Sequence, residues 1–130
     1  VQVGETIENY LETIYMLTRE KQPVRSVDIA NEMGYSKPTI SIMMRQLKES
    51  GYIRVGRSGY ITLTDTGLAI AERVYERHIL LTEILVSLGV DEKIALEDAC
   101  KVEHNLSKES FECIKNYFEN IRKEQGPLVE

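Results

Sequence analysis

The sequence holds only two cysteines, Cys100 and Cys113, and only two histidines, His78 and His104. So few thiols cannot build a disulfide scaffold, and with nothing pointing to secretion a structural bridge is not expected. No apolar run approaches the ~18 residues of a membrane span. Near the start, Glu5, Glu8 and Glu12 interrupt the apolar residues, which excludes a secretory leader in that stretch. There is no internal repeat, no low-complexity tract, no phosphate-cradling glycine loop and no oxyanion motif. The expectation is a cytoplasmic protein that neither enters a membrane nor turns over a small-molecule substrate. An enzyme using Cys100 and His104 as nucleophile and base has nothing beyond that pair to support it.

Basic charge is also scarce overall, since the chain carries a net −5. Its distribution reverses the first impression. From Lys21 to Leu63 the sequence has seven basic and three acidic side chains, a local +4. From Thr64 onward eight basic residues face fourteen acidic ones, a local −6. A basic segment beside an acidic half implies two tasks on one chain. At 130 residues the chain can bury a real core but is short for two independent domains.

What is present is strong periodicity. Ile7, Tyr10, Leu11, Ile14, Tyr15 and Leu17 recur at helical spacing, predicting a helix from Glu5 to about Arg19. Ser26 is the expected N-cap of a short second helix with Val27, Ile29, Ala30 and Met33 inward, stopped by Gly34. Ser36 is the expected cap of a third, with Pro38 in its first turn and Ile40, Met43, Met44 and Leu47 buried. Gly51 closes it. The period then becomes alternating, and Tyr52–Val55 and Tyr60–Leu63 read as a hairpin around a polar Gly56–Gly59 tip. Thr64 or Asp65 caps a long linking helix, about 65–88, carrying Leu68, Ile70, Ala71, Val74, His78, Leu81, Leu85 and Leu88. Asp91 opens another helix, expected to run through Glu103 and His104. Ser107 opens the last, to about Arg122, with Phe111, Ile114, Tyr117, Phe118 and Ile121 apolar and Cys113 packed. The tail at Gly126-Pro127 is expected to fray.

Helix, short helix, tight turn, helix, then hairpin is the order of a winged helix-turn-helix. The expected fold is therefore mainly α: a winged helix-turn-helix with a small β-hairpin wing over 1–70, then an all-helical domain over 71–130. At the start of the third helix Ser36, Lys37, Pro38, Thr39 and Ser41 offer small groups to base edges of double-stranded DNA. Arg45, Lys48, Arg54 and Arg57 are placed to neutralise phosphates, Arg57 best of all at the wing tip. A bland alternative is a winged helix used only for protein contacts. Ile94, Ala95, Leu106, Phe111, Ile114 and Phe118 exceed what one small domain needs, which suggests a homodimer, with a place in the core as the alternative.

Cys100, Glu103 and His104 stand at i, i+3 and i+4, one face of a helix. A thiolate, a carboxylate and an imidazole together suit a first-row transition metal. Asn9 and Glu12 form another i, i+3 pair on the first helix, and His78 lies midway along the long one. Singly each is ordinary: a lone helical histidine is more often structural, and a lone cysteine a small core residue. Only the set is informative. A regulator responding to redox through Cys100 is the alternative.

The sequence resembles the diphtheria-toxin-repressor family of iron- and manganese-responsive regulators, from about Glu8 to Phe118. The resemblance rests on Asn9-Tyr10-Leu11-Glu12-Thr13-Ile14-Tyr15, Ser36-Lys37-Pro38-Thr39-Ile40-Ser41, Leu63-Thr64-Asp65-Thr66-Gly67, Arg77-His78 and Glu97 through His104. It implies a homodimeric repressor that binds operator DNA when loaded with a divalent metal, controlling genes of metal homeostasis. It implies metal contacts from Glu12, His78, Cys100, Glu103 and His104, with Asn9 beside them. The chain looks like the shorter manganese type, lacking the extra C-terminal domain of the iron regulators. Two positions depart from the manganese pattern: Asn9 replaces Asp, and Cys100 replaces Glu. The ancillary site of the iron subgroup is also incomplete, because Thr82 and Leu96 replace ligands there. Thiolate favours softer metals than Mn²⁺, so Fe²⁺ is the expected signal ahead of Mn²⁺, with Zn²⁺ or Co²⁺ binding in vitro.

Overall fold

The computed structural model describes residues 3–125. The tail at Gly126-Pro127 lies outside them. Six helices and one hairpin follow in order: α1 Glu5–Glu20, α2 Ser26–Met33, α3 Lys37–Glu49, β1 Ile53–Val55, β2 Ile61–Leu63, α4 Asp65–Ser87, α5 Glu92–Val102 and α6 Lys108–Gln125. The chain divides into two compact units, one reaching Tyr75 and the other starting at Glu76, partway along α4.

The first unit is built on the apolar stripe anticipated above. Leu11, Ile14, Ile29, Ile40 and Leu47 are essentially inaccessible and pack with Tyr10, Val24, Met44, Ile53, Ile61 and Ala71. Each such side chain contributes about 1.5–3 kcal/mol by leaving water, which is what holds three short helices together. The two strands pair antiparallel, Ile53 with Leu63, Arg54 with Thr62 and Val55 with Ile61. Ile53 and Ile61 are buried and Arg54 exposed, as period-2 alternation requires. Ile61 N–H also donates to Val24 O at 2.8 Å, tying the hairpin to the segment before α2.

Turn chemistry differs from the sequence expectation at one helix. Ser26 is the first helical residue of α2, not its cap. The cap is Arg25, whose backbone N–H donates to Asp28 Oδ2 at 2.8 Å. The acidic residue three positions in thus secures the start of the helix by accepting the N–H of the cap residue. Val27, expected inward, is exposed, because the inner face of so short a helix is already filled by Ile29 and Ala30. Gly34 terminates α2 at φ +74°, where its N–H donates to Ala30 O and a side chain would be strained. At α3, Ser36 is the cap, its Oγ accepting from Thr39 N–H.

Thr64, rather than Asp65, starts α4: its Oγ1 accepts the Gly67 N–H and donates to Gly51 O at 2.7 Å. Gly67 lies so close to the Tyr52 carbonyl that a Cβ there would collide with backbone. The first turn of the long helix is thereby seated directly on the entry to the wing.

In the second unit Leu80, Leu81, Ala95, Ala99 and Phe111 are buried. Helix α5 ends at Val102, and Glu103 and His104 sit in the turn after it rather than inside the helix. Leu88 lies beyond the end of α4 and is largely exposed. Of the apolar residues assigned to a dimer, Ala95 and Phe111 are core while Ile94 is exposed. Tyr117 and Cys113 on α6 are exposed too, so that helix turns one apolar flank to solvent. Among the described residues no helix is long and apolar enough to cross a membrane.

Candidate metal centre and nucleic-acid interface

Within the first unit the elements present one exposed face. Ser36, Lys37, Pro38, Thr39, Ser41 and Arg45 are all exposed along α3, as are Lys48, Arg54 and Arg57. Pro38 occupies the first turn, where no N–H is lost, so the helix N-terminus is rigid as well as open. Ser36 and Thr39 are coupled, Ser36 Oγ lying 2.9 Å from Thr39 Oγ1, which holds both hydroxyls in place. At the wing, Gly56 N–H donates to Tyr60 O and Gly59 N–H to Gly56 O, folding the tip back so that Arg57 projects at its apex. Arg25 lies 4.4 Å from the centroid of the Tyr60 ring, a cation–π contact that braces the hairpin next to its tip. Sequence reading gave Arg25 no such part, since its partner lies 35 residues on.

The second unit assembles a different cluster. Glu103 is 1% exposed. Its Oε2 accepts from His78 Nδ1 at 2.9 Å, and its Oε1 lies 3.3 Å from His104 Nε2. That second approach lacks hydrogen-bond geometry, so Glu103 Oε1 is a buried acceptor without a properly made bond. His104 is buried and the His78 side chain is 16% exposed. Leaving a buried carboxylate oxygen unsatisfied is costly unless the arrangement serves a cation. A carboxylate and two imidazoles brought together in this way are donors of the kind that suit a first-row transition metal.

Arg77 is the support of this turn, and sequence reading had assigned it no task. It is buried, and its Nη1 donates to Glu103 O at 2.9 Å and to Leu106 O at 2.7 Å. Its guanidinium also stacks over the Phe111 ring at 5.1 Å. One side chain therefore satisfies two carbonyls of the turn after α5 and fixes the backbone carrying Glu103 and His104. The only sequence clue was an arginine preceding His78. Within the second unit Cys100 is exposed on α5, while His78, Glu103 and His104 draw together. In the first unit Glu12 is buried and Asn9 half-buried on α1; Glu8, also buried, pairs with Arg73 at 3.0 Å.

A winged helix with a basic face, followed by a helical unit with a buried His–Glu–His cluster, defines a metal-dependent transcriptional regulator. Known proteins agree. The family described as iron dependent repressor, N-terminal DNA binding domain, matches residues 2–59, and iron dependent repressor, metal binding and dimerisation domain, matches residues 64–126. The chain belongs to the iron-dependent repressor family. It is 34% identical over 122 residues to an uncharacterised helix-turn-helix transcriptional regulator of Methanocaldococcus jannaschii, covering 92% of this chain and 98% of that one. It is also 34% identical over 117 residues to the transcriptional regulator MntR of Bacillus subtilis, covering 88% and 82%. A manganese-dependent transcriptional repressor solved in complex with manganese has a TM-score of 0.77 at 29% identity, over 85% of this chain and 51% of that one. This chain therefore spans about half the length of that solved protein.

Proposed function

We propose that the protein is a repressor that binds operator DNA as a homodimer when loaded with Fe²⁺ or Mn²⁺, and so controls genes of metal homeostasis. The observation that carries this is the buried Glu103 carboxylate flanked by His78 and His104. Those three supply ligands, Cys100 a fourth, and Glu12 with Asn9 enter from the family pattern. A divalent ion held there would supply positive charge beside the buried Glu103 carboxylate, with His78 and His104 as its flanking donors. Arg77 keeps the turn in one conformation, so little ordering is required when the ligands engage. Ser36, Lys37, Pro38, Thr39 and Ser41 approach base edges, while Arg45, Lys48 and Arg57 hold phosphates. A coupling of about 1–3 kcal/mol between metal and DNA gives roughly a 5- to 150-fold change in affinity.

Cys100 supports Fe²⁺ ahead of Mn²⁺, because thiolate suits the softer ion. Its exposure also favours a second reading, response to redox at that thiol. Anaerobic titration of metal-free protein with Fe²⁺, Mn²⁺, Zn²⁺ and Co²⁺, with promoter DNA present, separates the two. Metal-switched DNA binding lost in Glu103→Gln supports the sensor. A response indifferent to Glu103→Gln but abolished by Cys100→Ser supports redox. DNA binding that ignores every metal refutes the sensor.

A further inference from the structure

Among the described residues of the first unit, Ile42 is the most exposed large apolar side chain, at 55%. It lies on α3, whose buried residues Ile40, Met44 and Leu47 mark the inner face. At about 100° per residue, Ile42 falls on the opposite side, beside Pro38, Ser41 and Arg45, all of them exposed. An isoleucine at the centre of a solvated helix face adds nothing to the core, so its use lies in what that face meets.

Its surroundings say what that is. Lys37, Arg45 and Lys48 share the helix, and Arg54 and Arg57 stand exposed on the hairpin. The single acidic residue of α3 is Glu49, at the C-terminal end. A cationic rim around an apolar centre suits a polyanion better than a protein surface. Among the polar groups nearby, the Ser36 and Thr39 hydroxyls already bond one another. Ile42 itself has no donor or acceptor for a base edge. The apolar group that the major groove displays is the C5-methyl of thymine.

We propose that Ile42 is a specificity-determining residue that packs against the C5-methyl of a thymine in each operator half-site. This rests on α3 being the helix that enters the groove. The contact discriminates thymine from cytosine, which lacks the methyl, and makes one thymine per half-site preferred.

The test uses the metal-loaded full chain. Its preferred site is selected from a random duplex library, and each thymine is then replaced singly by deoxyuridine, which removes only the methyl. At one thymine per half-site the expected loss is about three- to fivefold, the worth of one methyl kept from water. Ile42→Ala weakens binding to the thymine site and abolishes its sensitivity to deoxyuridine. Circular dichroism and the unfolding midpoint of that variant are expected to match the parent, since the side chain is exposed. Arg57→Ala serves as contrast, weakening thymine and deoxyuridine sites by the same factor. Tight selected binding in which no thymine methyl couples to Ile42 overturns this assignment and leaves the operator-binding reading standing. Selection that enriches no sequence with any of the four metals overturns both.

Discussion

Gly67 offers a sharp test of how the long helix is seated, because two effects of opposite sign compete there. It sits in the first turn of α4 with no positive φ, so Gly67→Ala should favour the helix by about 0.8–1 kcal/mol on propensity alone. Against that, the new Cβ would collide with the Tyr52 carbonyl oxygen and lie 3.0 Å from its carbon. Both atoms are backbone, so no side-chain rotation relieves the clash. Overpacking of this kind costs about 1–3 kcal/mol. The shift needed also strains the Thr64 N–H bond to Tyr52 O at 3.0 Å and the Thr64 Oγ1 bond to Gly51 O. Each is worth about 0.5–1.5 kcal/mol. The clash wins, and the net expectation is destabilisation of about 2–4 kcal/mol. Urea unfolding of the metal-free protein, followed at 222 nm, should show a lower midpoint with an unchanged slope. A variant as stable as the parent, or more so, would refute the close approach of α4 to the wing.

Three other expectations follow from the site and the turns. Excess Fe²⁺ or Mn²⁺, at about 100 times its dissociation constant, should stabilise the protein by about 2.7 kcal/mol, and Glu103→Gln should abolish that thermal shift; a persisting shift would place the ion elsewhere. Arg77→Met removes two charge-assisted bonds to Glu103 O and Leu106 O; a loss of about 3–5 kcal/mol is expected, with faster amide exchange after α5, and unchanged exchange would dismiss Arg77 as the support. The Arg25 backbone N–H, then Lys21, hold the Asp28 carboxyl below its usual range. Its contribution is therefore present above about pH 4, the unfolded value, and lost as pH falls through the lower folded one. Asp28→Asn should reduce stability at neutral pH and flatten the acid limb; an unaltered pH profile would deny Asp28 its capping role.

The helix-turn-helix and wing were legible because their signals are local. Apolar spacing in α1 and α3, the Ser36 cap and the alternation through Ile53 and Ile61 each depend on neighbours within a few residues. Caps were less secure: Arg25, its N–H held by Asp28, replaces Ser26 as the cap of α2, and Thr64 rather than Asp65 caps α4. Candidate donors could be picked out from the two histidines and the Cys100–His104 spacing, yet their arrangement could not. Glu103 meets His78 across 25 residues of chain, and Arg77 reaches 29 residues forward to Leu106. Helical periodicity continued past Val102 would have kept Glu103 and His104 on a regular helix; instead α5 ends there, and Arg77 takes up the carbonyls beyond. By itself, then, the order of residues determined the class of fold and the basic segment, since those rest on periodicity and composition. Tertiary structure alone decided which carboxylate is buried between imidazoles and which isoleucine is left in solvent, because burial depends on what distant segments bring to the same place.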